Sequence, residues 1–242
     1  MRYAVPAPPS GNRPLVAVVI DDLGLDRART AEVIRLRGPL TLSFMTYAND
    51  LAHQTETARQ AGHELFLHVP MEAVDRREDP GPRGLFTSQS RDEILDRLRW
   101  GLTRFDGFVG INNHMGSKFT ADANSMAPVM VELRARGLAF LDSRTSSAST
   151  GVRLATAYGV PHAARDVFLD DDQTPAAIAK ELARAEQVAR QHGSAIAIGH
   201  PHDTTIAALK GWLPQIEGKG LALVPVSAIV RQRMAGEAEL QH

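Results

Sequence analysis

Short apolar runs rich in Val, Ile, Leu and Phe recur along the chain, separated by longer segments whose apolar positions follow helical spacing. Eight runs stand out: LVAVVI (15–20), TLSFM (41–45), HELFLH (63–68), FVGI (108–111), AFLD (139–142), RDVFL (165–169), AIAIG (195–199) and LALVPV (221–226). Most are apolar without strict alternation, the pattern of strands covered on both faces. Such runs alternating with helical segments predict parallel strands joined by crossover helices, and about eight repeats predict a (β/α) barrel.

The intervening segments carry helix punctuation. Ser90 with Glu93 forms a capping-box pattern before ILDRLRWGL, and Thr174 with Pro175 opens AAIAKELARAEQVARQH, which Gly193 stops. Gly38, Gly62 and Gly137 are expected to close three further helices, and Asp26 to cap the one that follows the first strand.

In a (β/α) barrel the reactive groups gather where strands end. Here the first strand ends in Asp21 and Asp22, the third in His68, the fourth in Asn112, Asn113 and His114, the fifth in Asp142, and the seventh in His200 and His202. The opposite ends offer Arg13, Pro39, Asp106, Gly107 and Ser194, ordinary loop residues. The asymmetry points to one functional rim.

Alternation along the strand sends Asp21 and Asp22 to opposite faces, which implies different tasks. Two partly buried carboxylates stay ionised only if a cation or hydrogen bonds compensate them. His68 ends its strand because Pro70 keeps Val69 out of helical geometry, which makes His68 a strong candidate ligand. Glu72 is a weaker one, and His63, at the strand start, reads as structural. His114 can take a metal while Asn112 and Asn113 orient neighbours or donate to a substrate oxygen; a purely structural polar network is the other reading. Asp142, a further catalytic candidate, stands beside Arg144, and the pair either holds a catalytic group or ties a loop. His200 is the better general acid of its pair, whereas His202 and Asp203 either join it or merely open a helix. Asp170 can face the rim; Asp171 and Asp172 read as solvated.

The 242 residues suit one barrel or two smaller domains, and nothing resembles a linker after residue 14. Residues 1–14, MRYAVPAPPSGNRP, read as a flexible lead-in to a domain spanning 15–242. With 27 basic and 28 acidic residues the net charge is -1, which favours neither nucleic acid nor an anionic membrane and makes a neutral partner the default. No cysteine is present, so any metal must sit on His, Asp or Glu. One carboxylate and two histidines with an open position describe a hydrolytic zinc or similar divalent site, suited to amide or ester cleavage.

VVIDDLG, AGHELFLHVPME, GINNHMGSKFT, FLDSRTS, RDVFLD and AIAIGHPHDTT, in that order, resemble the divergent polysaccharide deacetylase family, over about residues 15 to 230. The resemblance implies a distorted (β/α) barrel of seven or eight parallel strands and metal-dependent removal of acetyl groups from a polysaccharide or peptidoglycan-type glycan. By position it implies Asp21 as base, Asp22 and His68 as metal ligands and His200 as acid. Glu72 stands where the superfamily has its second histidine, so His114 is the expected third ligand and Glu72 the reserve. The altered motifs leave a second expectation, a catalytically silent glycan-binding or structural envelope protein that keeps the barrel and the ion. The resemblance further implies export to the periplasm of a Gram-negative-type bacterium, with a signal or membrane anchor upstream.

Overall fold

The computed structural model describes residues 1–239, with side chains through residue 236. Strands and helices alternate as predicted: β1 (Leu15–Leu23), α1 (Arg27–Ile34), β2 (Thr41–Met45), α2 (Leu51–Gln60), β3 (Glu64–Met71), α3 (Arg91–Leu102), β4 (Phe108–Met115), α4 (Ala123–Arg136), β5 (Ala139–Asp142) and α5 (Gly151–Tyr158). There follow β6 (His162–Ala164), β7 (Val167–Phe168), α6 (Pro175–His192), β8 (Ser194–Gly199), α7 (Asp203–Trp212), β9 (Ala222–Leu223) and α8 (Val226–Glu239). Among these residues no helix is long and apolar enough to cross a membrane.

The strands are all parallel and lie in the order β6-β5-β4-β3-β2-β1-β8-β7, with β9 beside the start of β1. Residues 162–168 bridge the two edges. His162 to Ala164 pair with β5, Arg165 N donates to Asp142 O at 2.9 Å, Asp166 N donates to Ile196 O at 2.9 Å, and Val167 and Phe168 pair with β8. The predicted strand at 165–169 is thus the second half of a bent segment. Its first half, HAA, lacks the apolar run that marks the others. The run at 221–226 keeps only two strand residues, because α8 begins at Val226.

Parallel pairing buries both strand faces, and alternate residues of β1 show it. Val16, Val18 and Ile20 pack under the surrounding helices, while Ala17 and Val19 fill the barrel with Phe66, Ile196 and Ile198. Val226, Ile229 and Val230 of α8 join that interior group and close the barrel floor. Each such side chain contributes about 1.5–3 kcal/mol of burial. Most expected caps are present: Asp26 for α1, the Ser90–Glu93 box for α3, Thr174 and Gly193 at the ends of α6, and Gly137 after α4. Gly38 is different. Helix α1 stops at Ile34 with Arg35 as its cap, and Gly38 lies where an added Cβ would stand 2.8 Å from the His63 ring. His63 bonds Leu40 N and Ile34 O, the structural role expected of it. The lead-in has no regular element, and its Val5 N donates to Glu64 at 3.2 Å.

Candidate metal centre and cleft

Strand β1 carries one extra residue near its end. Ile20 pairs with Leu42 but Leu23 pairs with Phe44, and Asp22 takes φ 58°. This bulge cancels the alternation that would have sent Asp21 and Asp22 to opposite faces. Both carboxylates reach the same ring: Asp21 Oδ2 lies 3.7 Å and Asp22 Oδ1 3.3 Å from His68 Nε2. The adjacent acids therefore share a site.

His68 is held there from β4. Its Nδ1 donates to Asn112 Oδ1 at 2.8 Å, and Asn112 Nδ2 donates to Asp21 Oδ1 at 2.8 Å and to Ser143 Oγ at 3.3 Å. With Nδ1 carrying that proton, Nε2 can present a lone pair to a cation held between the ring and the two acids. His114 adds a third atom, its Nδ1 2.8 Å from Asp22 Oδ1. Asp22, His68 and His114 thus bring three ligand atoms within 4.8 Å of one another.

Asp22 Oδ1 is the telling atom. It is buried and has no partner that meets hydrogen-bond geometry, although His114 Nδ1 lies 2.8 Å and His68 Nε2 3.3 Å from it. A buried carboxylate oxygen left in that state is costly, and a cation between it and the two rings removes the cost. The donor set of one carboxylate and two imidazoles fits a divalent ion of the zinc kind. Burial alone would push the Asp22 carboxyl up; the His114 and His68 rings outweigh it and hold the carboxyl far below its ordinary range. The His68 ring is raised: Asp21 and Asp22 overcome the burial that would lower it.

Across the cleft, Asp170 fixes His200. Asp170 Oδ2 accepts from His200 N at 2.6 Å and from Thr205 Oγ1 at 2.8 Å, and Oδ1 takes the ring Nδ1 at 3.0 Å, which leaves Nε2 free for the cleft. Burial would lower this imidazole, but the Asp170 bond and the charges of Asp21 and Asp22 raise it to about 9. Asp21, His68, Asn113, His114, Arg165 and His200 all line one cleft of about 420 Å³.

Four expected site residues do other work. Glu72, the expected reserve ligand, lies outside the Asp22–His68–His114 group: Lys118 Nζ donates to one oxygen at 2.7 Å and Thr87 N and Oγ1 to the other at 2.8 and 2.7 Å, so its carboxylate staples two loops. Asp142 ties the loop after β5, accepting from Arg144 N on one oxygen and from Ser149 Oγ on the other. Arg144 meets Asp142 only through its backbone, and its side chain lines the cleft. His202 caps α7 without a side-chain bond to it and lies 3.2 Å from Gln173, although it also falls within 4.8 Å of ligand atoms on Asp170 and His200. Asn113 stitches the end of β4 to the next loop, accepting from Ser143 N at 2.9 Å and donating to Met115 O at 2.7 Å. Sequence reasoning missed Arg165. Its signal was a charge beginning an otherwise apolar run.

Comparison with known proteins places this geometry in a lineage. The chain is 34% identical to an uncharacterized protein of Haemophilus influenzae over 200 residues, 82% of this chain and 70% of that one. A crystal structure of an uncharacterized Agrobacterium tumefaciens protein matches with TM-score 0.91 at 33% identity, covering 94% of this chain and 93% of that one. At fold level only, the catalytic domain of a peptidoglycan N-acetylglucosamine deacetylase from Eubacterium rectale matches with TM-score 0.56 at 12% identity, over 93% of this chain and 94% of that one. A CE4 family pseudoenzyme from Bacillus anthracis does so with TM-score 0.56 at 14% identity, over 90% and 66%. The model of one family matches residues 18–230, and the chain belongs to that family, the divergent polysaccharide deacetylases.

Proposed function

We propose that the protein is a metal-dependent hydrolase that removes acetyl groups from an envelope glycan of the peptidoglycan type. The observation that carries this reading is the orphaned Asp22 oxygen between two imidazoles, set in a cleft that also holds Asp21 and the Asp170-fixed His200. A zinc ion on Asp22, His68 and His114 would supply Lewis acidity, polarising an acetyl carbonyl and making water acidic enough to attack near neutral pH. Asp21, oriented by Asn112, accepts the proton of the attacking water. His200 then protonates the departing amine or hydroxyl through Nε2, while Asp170 keeps the ring in place. The Eubacterium rectale neighbour supports the choice of glycan. We further propose that the protein works in the periplasm; fractionation of the native protein to the cytosol would overturn that reading.

One observation favours a silent glycan-binding or structural protein instead. Asp21 is only 2% exposed and Asn112 already holds one of its oxygens, and a pseudoenzyme shares the fold. Acetate release from a panel of acetylated glycans, with Asp21→Asn as the control, separates the two. Release that the substitution abolishes supports hydrolysis; glycan binding without release supports the silent protein.

A further inference from the structure

Two guanidiniums in the cleft have no part in the proposed hydrolysis. Arg165 uses one edge of its planar fork on backbone: Nε donates to Ser143 O at 2.6 Å and Nη2 to Arg144 O at 2.9 Å. Its face rests on Phe168, 4.6 Å from the ring centroid. The other edge, formed by Nη1 and the second Nη2 hydrogen, has no acceptor among the described residues, and the residue lines the cleft. Arg144, at φ 50°, lines the same cleft, and among the described residues its side chain makes neither an ion pair nor a hydrogen bond.

The backbone bonds explain why residue 165 is a donor, but not why it keeps an unneutralised charge. Burial disfavours that charge, and although Asp21 offsets part of the cost, the like charge of Arg144 adds to it. Asp142 and Asp171, the latter also on the cleft wall, favour the Arg165 charge from a distance, but among the described residues neither forms an ion pair with Arg165 or Arg144. Arg165 is half-buried and Arg144 exposed; a half-buried charge beside a like one costs stability unless an anion joins them. The free edge of Arg165 has the spacing that holds a carboxylate through two parallel hydrogen bonds.

We propose that Arg165 and Arg144 form a carboxylate-binding subsite in the cleft, so that the sugar unit presented to Asp21 and His200 carries an acidic group near its acetyl group. The proposal rests on the glycan reading of the cleft and narrows it. It replaces the neutral partner that the net charge of -1 suggests, since that balance averages over the whole surface.

Binding, not turnover, tests it. Calorimetric titration compares three acetylated disaccharides of equal size: one neutral, one with a ring uronate, and one with a lactyl ether carboxylate. One of the acidic sugars is expected to bind on the order of 10- to 100-fold more tightly than the neutral one, as charge-assisted hydrogen bonds allow. The preference should shrink as salt rises, and the stronger acid identifies the source of the carboxylate. Arg144→Gln should reduce the preference while leaving affinity for the neutral sugar unchanged, and Arg165→Gln, which also releases the Ser143 and Arg144 carbonyls, should reduce the preference at least as much. If Arg165→Gln fails to fold, Arg144→Gln carries the test, because among the described residues that side chain makes no hydrogen bond or ion pair. Equal binding of all three sugars, no binding of either acid, or a preference that survives substitution would overturn the proposal. Acetate release measured in parallel bears only on hydrolysis, so the two readings fail separately.

Discussion

The barrel has a carboxylate at each end, one fully buried and one partly exposed, and the two are treated in opposite ways. At the floor, Glu64 is fully buried and its oxygens accept from Ser227 N at 3.0 Å, Thr41 Oγ1 at 3.4 Å and Val5 N at 3.2 Å. All its partners are neutral, and burial, the dominant influence, raises its carboxyl above the ordinary value. At the rim, Asp22 lies between two rings able to carry charge or bind metal, keeps an oxygen without a hydrogen bond, and is pulled down. A carboxylate satisfied by fixed neutral donors is a clamp: it ties β2, β3, α8 and the lead-in. A carboxylate left partly unsatisfied among ligand atoms is a receptor. Their exposure differs, but what separates their tasks is the kind of partner.

The largest expected effect breaks the receptor. His114→Ala should lose stoichiometric metal, because removing one of three protein ligands leaves two. Elemental analysis of the purified variant checks this, and full retention would remove His114 from the ligand set. Metal in the unmodified protein should also dissociate on acidification, since both imidazoles must be neutral to bind.

Next in size is His200→Ala, expected to lower the rate of acetate release by about 100- to 10,000-fold and leave metal content intact. As acid, His200 must be protonated, so the rate should fall as pH rises through the value of about 9 to which Asp170, Asp21 and Asp22 raise it against burial. An ion on Asp22 offsets part of that charge and brings the limb to lower pH. Asp170→Asn should bring it lower still, and a pH–rate profile in which the limb does not move would dissociate Asp170 from the acid. If His200→Ala loses metal with its fold intact, the ring belongs among the ligands.

The sequence made the rim legible because strand ends in a barrel converge whatever the loops do, and seven of the eight expected strands end near their predicted positions or extend beyond them. It was less informative where one residue changes the geometry. The bulge at Asp22 has no mark in VVIDDLG, since Asp is tolerated at positive φ without announcing it. Glu72 and Asp142 looked available because spacing shows where a carboxylate starts, not which donors reach it from other loops. Lys118 and Thr87 lie 46 and 15 residues from Glu72. Arg165 was hidden for a related reason: its place on the bridge between β5 and β8 depends on the short strand β6, which has no apolar run of its own.

At the floor the effects are on stability. Glu64→Ala leaves Ser227 N and Val5 N without acceptors and should cost about 1–3 kcal/mol for each donor that stays dry, read by denaturant titration. Glu64→Gln keeps the shape and removes the titration. Because the folded-state pKa of Glu64 is raised above 4.5, its contribution favours the fold below that pH and is lost as pH rises through the folded value. The wild-type protein should therefore lose stability relative to Glu64→Gln on going from acid towards neutral pH. Parallel curves would mean that Glu64 is solvated after all.

The smallest effect sharpens the contrast by testing a carboxylate that belongs to neither class. Glu72 stands close to the rim in sequence, four residues from His68, yet its partners are Lys118 and Thr87, and the lysine side chain is 41% exposed. Burial, the largest single influence, would raise its carboxyl, but these partners together outweigh it and lower it. A lowered pKa contributes stability above the ordinary value of 4.5 and loses it as pH falls through the folded value. Glu72→Gln should therefore cost no more than about 1 kcal/mol near neutral pH, the scale of a solvent-exposed ion pair, and the difference should fade in acid and in high salt. Its metal content should equal that of the wild type, since Lys118 and Thr87 hold the carboxylate away from Asp22. Loss of metal in Glu72→Gln would make Glu72 a ligand despite those bonds, and the distinction between clamp and receptor would then fail at the residue where the partners state it most clearly.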